Sequence, residues 1–189
     1  MEHKNTALGV VALALFVAAA LWYSGRSAPS EDRVQRALFE NSALYFTLNY
    51  RQEPNGYVII PRPASGGAQY VLNMFLYADY QALQAKKYGQ EGPPMIALGI
   101  YPNPKNQLPW DWVKTNSSSN YALSGDKKVI PESVSGKPAA SYRWSGLYES
   151  QSVAVSHRGR IYLFSVSSPT SEDQIRKDFE DLLDRAKLE

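Results

Sequence analysis

The sequence predicts an α+β domain, a mostly antiparallel sheet flanked by helices, behind a single amino-terminal membrane-spanning helix. Three observations predict it. Thr6 to Tyr23 is an uncharged apolar run. From Ala43 onward, aromatic and β-branched stretches of strand length alternate with turn residues. The chain closes on an amphipathic stretch with apolar residues at helical spacing. The expected boundaries are 1–23 for the apolar segment, 24–42 for a linker with a short helix, and 43–189 for the α/β domain.

The first segment reads TALGVVALALFVAAALWY, 18 residues without a charge. At about 1.5 Å per residue it spans roughly 27 Å, enough for a thin hydrocarbon core. Trp22 and Tyr23 end it, where amphipathic rings favour the membrane interface. A retained signal anchor fits this layout, and a cleaved signal peptide with Ala18, Ala19 and Ala20 as the small residues is the alternative. The short polar head before the run favours an extracytoplasmic domain. Arg26, Arg33 and Arg36 behind it, against Lys4 in front, argue the other way.

Ser24 to Ser30 (SGRSAPS) is a small-residue linker, and Glu31 to Glu40 is expected to form the short helix. Ala43 to Arg51 is the first predicted strand. Asn55-Gly56 predicts a hairpin into Tyr57–Ile60. Gln69 to Tyr77 is a third strand, and Ala78 to Tyr88 a helix with Asp79 near its start and Lys86 and Lys87 near its end. Met95 to Tyr101 is a compact strand. Three prolines then make the next loop irregular, before a short helix at Trp110–Asn116. Lys128 to Val134 is a weak strand broken by Pro131. Ala139 to Ser145 alternates, with Ala140, Tyr142 and Trp144 on one face.

Leu147–His157 and Arg160–Ser167 form a hairpin about Arg158-Gly159. The run RIYLFSV is apolar at consecutive positions, which calls for a strand covered on both faces. In the last helix Ser171 is the expected cap and Gln174 completes a capping box. Ile175, Phe179, Leu182, Leu183 and Ala186 form its apolar stripe. Arg176, Lys177, Glu180, Asp181 and Asp184 are assigned to the opposite face.

Three stretches resemble the PsbP-like family, named for an extrinsic protein of photosystem II. They are YFTLNYRQEPNGYVIIPRP, SGKPAASYRWSGLYESQSVAVSHRGRIYLFSV and EDQIRKDFEDLLDRAKLE. The resemblance implies an α/β/α sandwich around an antiparallel sheet. It also implies kinship with bacterial membrane-anchored or secreted members, and it transfers no catalytic residue.

Composition removes many chemistries. There is no cysteine, so disulfides, thiolate metal sites and cysteine nucleophiles are excluded. A net charge of +2 gives no footprint for nucleic acid. His157 has Ser152 and Ser156 nearby in sequence, yet no G-x-S-x-G elbow presents a serine, and a turn histidine is the expected role. The acids after Ser171 follow a solvated helix face mixed with bases, so neither a metal nor a cofactor is expected. From Lys127 to Arg160 bases exceed acids, a pattern open to an anionic surface or to plain solubility.

The candidate binding surface is aromatic. Tyr101, Trp110, Trp112 and Tyr121 frame the loop YPNPKNQLPWDWVKTNSSSNY. Trp110 and Trp112 would face different ways on a helix, one anchoring the loop and the other free. Such rings can make a surface for a protein, peptide or glycan. Their commoner use is burial, pinning the loop to the sheet as a satellite core.

The functional expectation is a non-catalytic, membrane-tethered domain outside the cytoplasm that binds a protein partner or assists an envelope complex. A hydrolase with an unfamiliar carboxylate or serine site is the alternative. A pilin-like or secretion-system subunit is the third reading.

Overall fold

A computed structural model describes residues 35–89 and 92–189, and residues from Gln35 onward make one folded unit. The apolar run and the Ser24–Ser30 linker lie outside the described residues. Among the described residues, no helix is long and apolar enough to cross a membrane.

Among the described residues, ten strands form two sheets. The smaller has three strands in the order β1 (Arg36–Asn41), β2 (Phe46–Arg51) and β10 (Lys187–Leu188). The larger has seven, in the order β3 (Tyr57–Arg62), β4 (Tyr70–Leu76), β5 (Met95–Pro102), β9 (Arg160–Ser168), β8 (Glu149–His157), β7 (Lys137–Ser145) and β6 (Ile130–Val134). Every pairing of neighbouring strands is antiparallel. Helices α1 (Tyr77–Gln84), α2 (Pro109–Thr115) and α3 (Gln174–Arg185) flank the sheets.

The central strand β9 has neighbours on both faces, as its unbroken apolar run requires. Tyr162, Phe164 and Val166 enter one core with Ile175, Phe179, Leu182 and Leu183 of α3 and with Phe46 and Leu48 of β2. Ile161 and Leu163 face the other way, into a smaller core with Trp112 and Val113 of α2, Ala140, Tyr142 and Ala154. The apolar stripe of α3 is buried residue for residue.

Four local expectations give way to tertiary structure. Arg36–Asn41, expected to lie partly in a helix, is strand β1. Its burial alternates with period two, and Phe39 stacks on Phe46 at 6.0 Å between centroids. Pairing along β2 outweighs a weak local helical preference.

The Asn55-Gly56 hairpin does not form, because β2 and β3 belong to different sheets. Gly56 serves a close backbone approach instead: a Cβ there would lie 2.2 Å from the carbonyl oxygen of Arg51.

Ser171 does not cap α3. The helix begins at Gln174, and the Ser171 hydroxyl donates to Glu172 at 3.3 Å. Asp173 braces the preceding turn by accepting from the Thr170 amide at 2.9 Å.

Arg176 is buried rather than solvated. Its Nε donates to Ser168 Oγ at 2.7 Å and to the Thr170 carbonyl at 3.2 Å, tying α3 to the end of β9. Desolvation lowers its pKa, and the like charge of Arg143 adds to that.

Acids on α3 hold the smaller sheet in place. Asp178 accepts from Arg51 Nη2 and from Tyr57 OH, each at 2.8 Å. Asp181 accepts from Arg36 at 2.6 Å and from Arg185 at 2.7 Å.

Phe179 is fully buried where α3 meets the sheet. Phe179→Ala is expected to cost about 3–5 kcal/mol in urea unfolding. Leu38→Ala on the exposed edge of β1 is expected to change stability by less than about 0.5 kcal/mol.

Candidate functional site

Among the described residues, the second face of the large sheet is only partly covered, and a groove of roughly 350 Å³ opens there. Its floor comes from strand alternation. Ser165 pairs with Ala97 on one side and Ser152 on the other, while Ser167 pairs with Met95 and Ser150. Small side chains on three adjacent strands leave room above the sheet.

The floor hydroxyls of Ser165 and Ser167 are satisfied by buried serines of β8. Ser152 and Ser165 lie 2.7 Å apart, and Ser150 and Ser167 3.0 Å apart. The Trp144 indole N–H donates to Ser152 Oγ at 3.0 Å, which fixes that ring at one wall. Tyr101 lines the opposite side. Its ring lies over Gly99, where a Cβ would come within 2.8 Å of it. Burial raises the Tyr101 pKa, partly opposed by a hydrogen bond with Ser118. Gly66, Ser118 and Asn120 close the rim.

The structure brings the four aromatic candidates to the same cluster and gives them different roles. Trp112 is buried, its ring 5.2 Å from that of Tyr101. Trp110, Tyr101 and Tyr121 are half-buried around it. Tyr121 meets Tyr142 edge-on at 5.7 Å.

The loop after α2 is built to hold this cluster. Asn116 Oδ1 accepts from the Ser118 amide at 2.9 Å. The buried Ser119 hydroxyl lies 2.7 Å from the carbonyls of Val113 and Asn116, and the Tyr142 hydroxyl donates to the Ser119 carbonyl.

The groove floor and Trp144 were not among the sequence-selected site residues. Trp144 was nevertheless legible, since alternation already set it on one face with Tyr142. Ala97, Gly99, Ser165 and Ser167 carry no chemical signal until register sets them side by side.

Among the described residues, no Asp, Glu, His, Lys or Arg lines the groove. His157 lies elsewhere, at the end of β8, with Nε2 2.7 Å from the backbone oxygen of Glu189. Neither nearby serine meets it: Ser156 Oγ accepts from Asn103 Nδ2 at 3.2 Å, and the buried Ser152 bonds Ser165 of the groove floor. Asn103 is itself buried and also bonds Gln107 in both directions, knitting the proline-rich loop.

The fold and groove define a class, an antiparallel α+β sandwich with a neutral, aromatic-walled recess on one sheet face. The solution structure of cyanobacterial PsbP (CyanoP) from Synechocystis sp. PCC 6803 is similar, with a TM-score of 0.55 at 11% identity. The match covers 86% of this chain and 98% of that one, so the fold is PsbP-like. No protein-family model and no curated protein sequence matches the chain.

Gly99→Ala is expected to push the Tyr101 ring toward the groove, for a stability cost of about 1–3 kcal/mol. Near-ultraviolet circular dichroism would register the moved ring, while the far-ultraviolet spectrum stays unchanged.

Proposed function

We propose that the chain is a non-catalytic accessory domain that seats a protein partner in the groove between Tyr101 and Trp144. In this reading Thr6–Tyr23 tethers it to a membrane and the folded domain lies outside the cytoplasm. The neutrality of the groove is the observation that carries it. Acid–base catalysis needs a positioned titratable group with a pKa near the working pH, and burial drives the Tyr101 phenol away from it. Rigid aromatic rings around a partly desolvated recess are instead what protein recognition uses. Tyr101, Trp110 and Tyr121 would supply contact area, with Trp112 as the buried support that holds them.

The competing readings have less behind them. A serine hydrolase would need a base against a groove hydroxyl, and those hydroxyls face one another and an indole N–H. A pilin-like subunit needs a continuous helix running into the domain, against which Gly25 and Pro29 of the linker argue.

Affinity capture of the tagged full chain from solubilised membranes tests the proposal. A defined protein is expected to co-purify with the wild type and with Leu38→Ala. Trp144→Ala is expected to reduce it about tenfold or more, the scale of a hot-spot ring. Equal recovery with Trp144→Ala would refute the groove as the seat. Release of the chain from membranes by alkaline extraction would refute the tether.

A further inference from the structure

We propose that Arg158 and Arg160, held against the ring of Tyr45, form a binding site for a phosphate-type oxyanion at the end of the sheet. The site is separate from the groove and does not depend on the groove's role.

The geometry begins with the β8–β9 turn. His157 pairs with Arg160, leaving Arg158-Gly159 as a two-residue loop with φ of 47° and 68°. Both central residues are left-handed, a turn that favours Asn or Gly at the first position. An arginine there accepts backbone strain that a smaller residue would avoid. Tyr45 is strained in the same way, at φ 55° and ψ 43°. Its amide donates to the Ser42 carbonyl at 3.2 Å, and its carbonyl accepts from the Glu189 amide at 3.0 Å. Two unfavourable backbone conformations thus bring one ring and one guanidinium together.

The guanidinium carbons of Arg158 and Arg160 lie 4.3 Å and 5.4 Å from the Tyr45 ring centroid. Two like charges held near one ring repel each other. Among the described residues, the ion pairs belong to Arg36, Arg51, Arg176 and Arg185, and none involves these two arginines. Glu189, the acid whose backbone joins this end, makes no ion pair with either. Both guanidiniums also act on the Tyr162 phenol, opposing the rise in its pKa that burial causes.

A guanidinium over a ring still presents a planar N–H fork, of which Arg160 spends part on a hydrogen bond to the Tyr162 phenol. That planar fork matches a tetrahedral oxyanion, which an ammonium contacts only as a point charge. Further positive charge converges here. Antiparallel register sets Lys137, at the start of β7, at the same sheet end as His157 and Arg160. Phosphate of this kind can come from a phospholipid headgroup or from solution.

Calorimetric titration of the detergent-solubilised full chain tests the site, using inorganic phosphate in one arm and water-soluble dihexanoyl phosphatidylglycerol in the other. Saturable binding is expected in at least one arm, with loss of about tenfold or more in the Arg158→Gln, Arg160→Gln double variant. Arg143→Gln, at the other end of β7, should leave binding unchanged. Thermal unfolding of each variant separates loss of the site from loss of the fold, and the Arg158→Lys, Arg160→Lys pair keeps the charge without the fork. Binding confined to the lipid arm identifies a headgroup site, and binding in the phosphate arm a soluble oxyanion. No binding in either arm, or undiminished binding by a folded double variant, would overturn the proposal.

Discussion

The two-sided burial of β9 is the constraint on which the rest of the molecule depends. A strand with apolar residues at consecutive positions cannot face water on either side without a large hydrophobic penalty. Both faces of the large sheet must therefore be covered, and the chain finds different covers for them. Tyr162, Phe164 and Val166 recruit α3 and the small sheet, while Ile161 and Leu163 recruit α2.

The two covers are unequal, and the groove follows from that. On the first face, α3 spans twelve residues and is linked to the small sheet through Asp178 and Asp181. On the second, α2 has seven residues and reaches only part of the face. Where it stops, the surface passes from Ala140 and Ala154, through Leu163, to serines bonded to one another. The uncovered surface is therefore polar enough to meet water and small enough to leave a recess. Trp144 and Tyr101 stand at its walls because their ring positions are set by a serine acceptor and by a glycine, respectively. Among the described residues, the groove lies where α2 ends over the large sheet.

Much of the fold was legible because β5, β7, β8, β9 and α3 announce themselves by period. The apolar stripe of α3 and the consecutive apolar run of β9 each have one stable solution. Failures came where local signals met long-range pairing. Arg36–Asn41 is a strand only because β2 lies beside it. Asn55-Gly56 looks like a hairpin turn, yet its glycine is needed for a backbone contact with Arg51. Arg176 looks like a surface charge until Ser168 and Thr170 enclose it. Of the groove's rings, Tyr101 is named from the sequence and Trp144 is placed only by alternation, whereas the floor requires register. Alanine, glycine and serine are silent in sequence and become a surface only when three strands align them.

Strand β9 serves two cores, one of which can be loosened without the other. Native-state amide hydrogen exchange on Leu163→Ala tests this most directly. Leu163 belongs to the second core and also lines the groove. The expected result is faster exchange confined to α2 and the loop after it, at Trp112, Asn116 and Ser119, with α3 and the Phe46–Leu48 segment of β2 as protected as before. Uniform loss of protection across α3, β2 and α2 would contradict the account, since it would mean a single cooperative core in which the groove face has no separate standing.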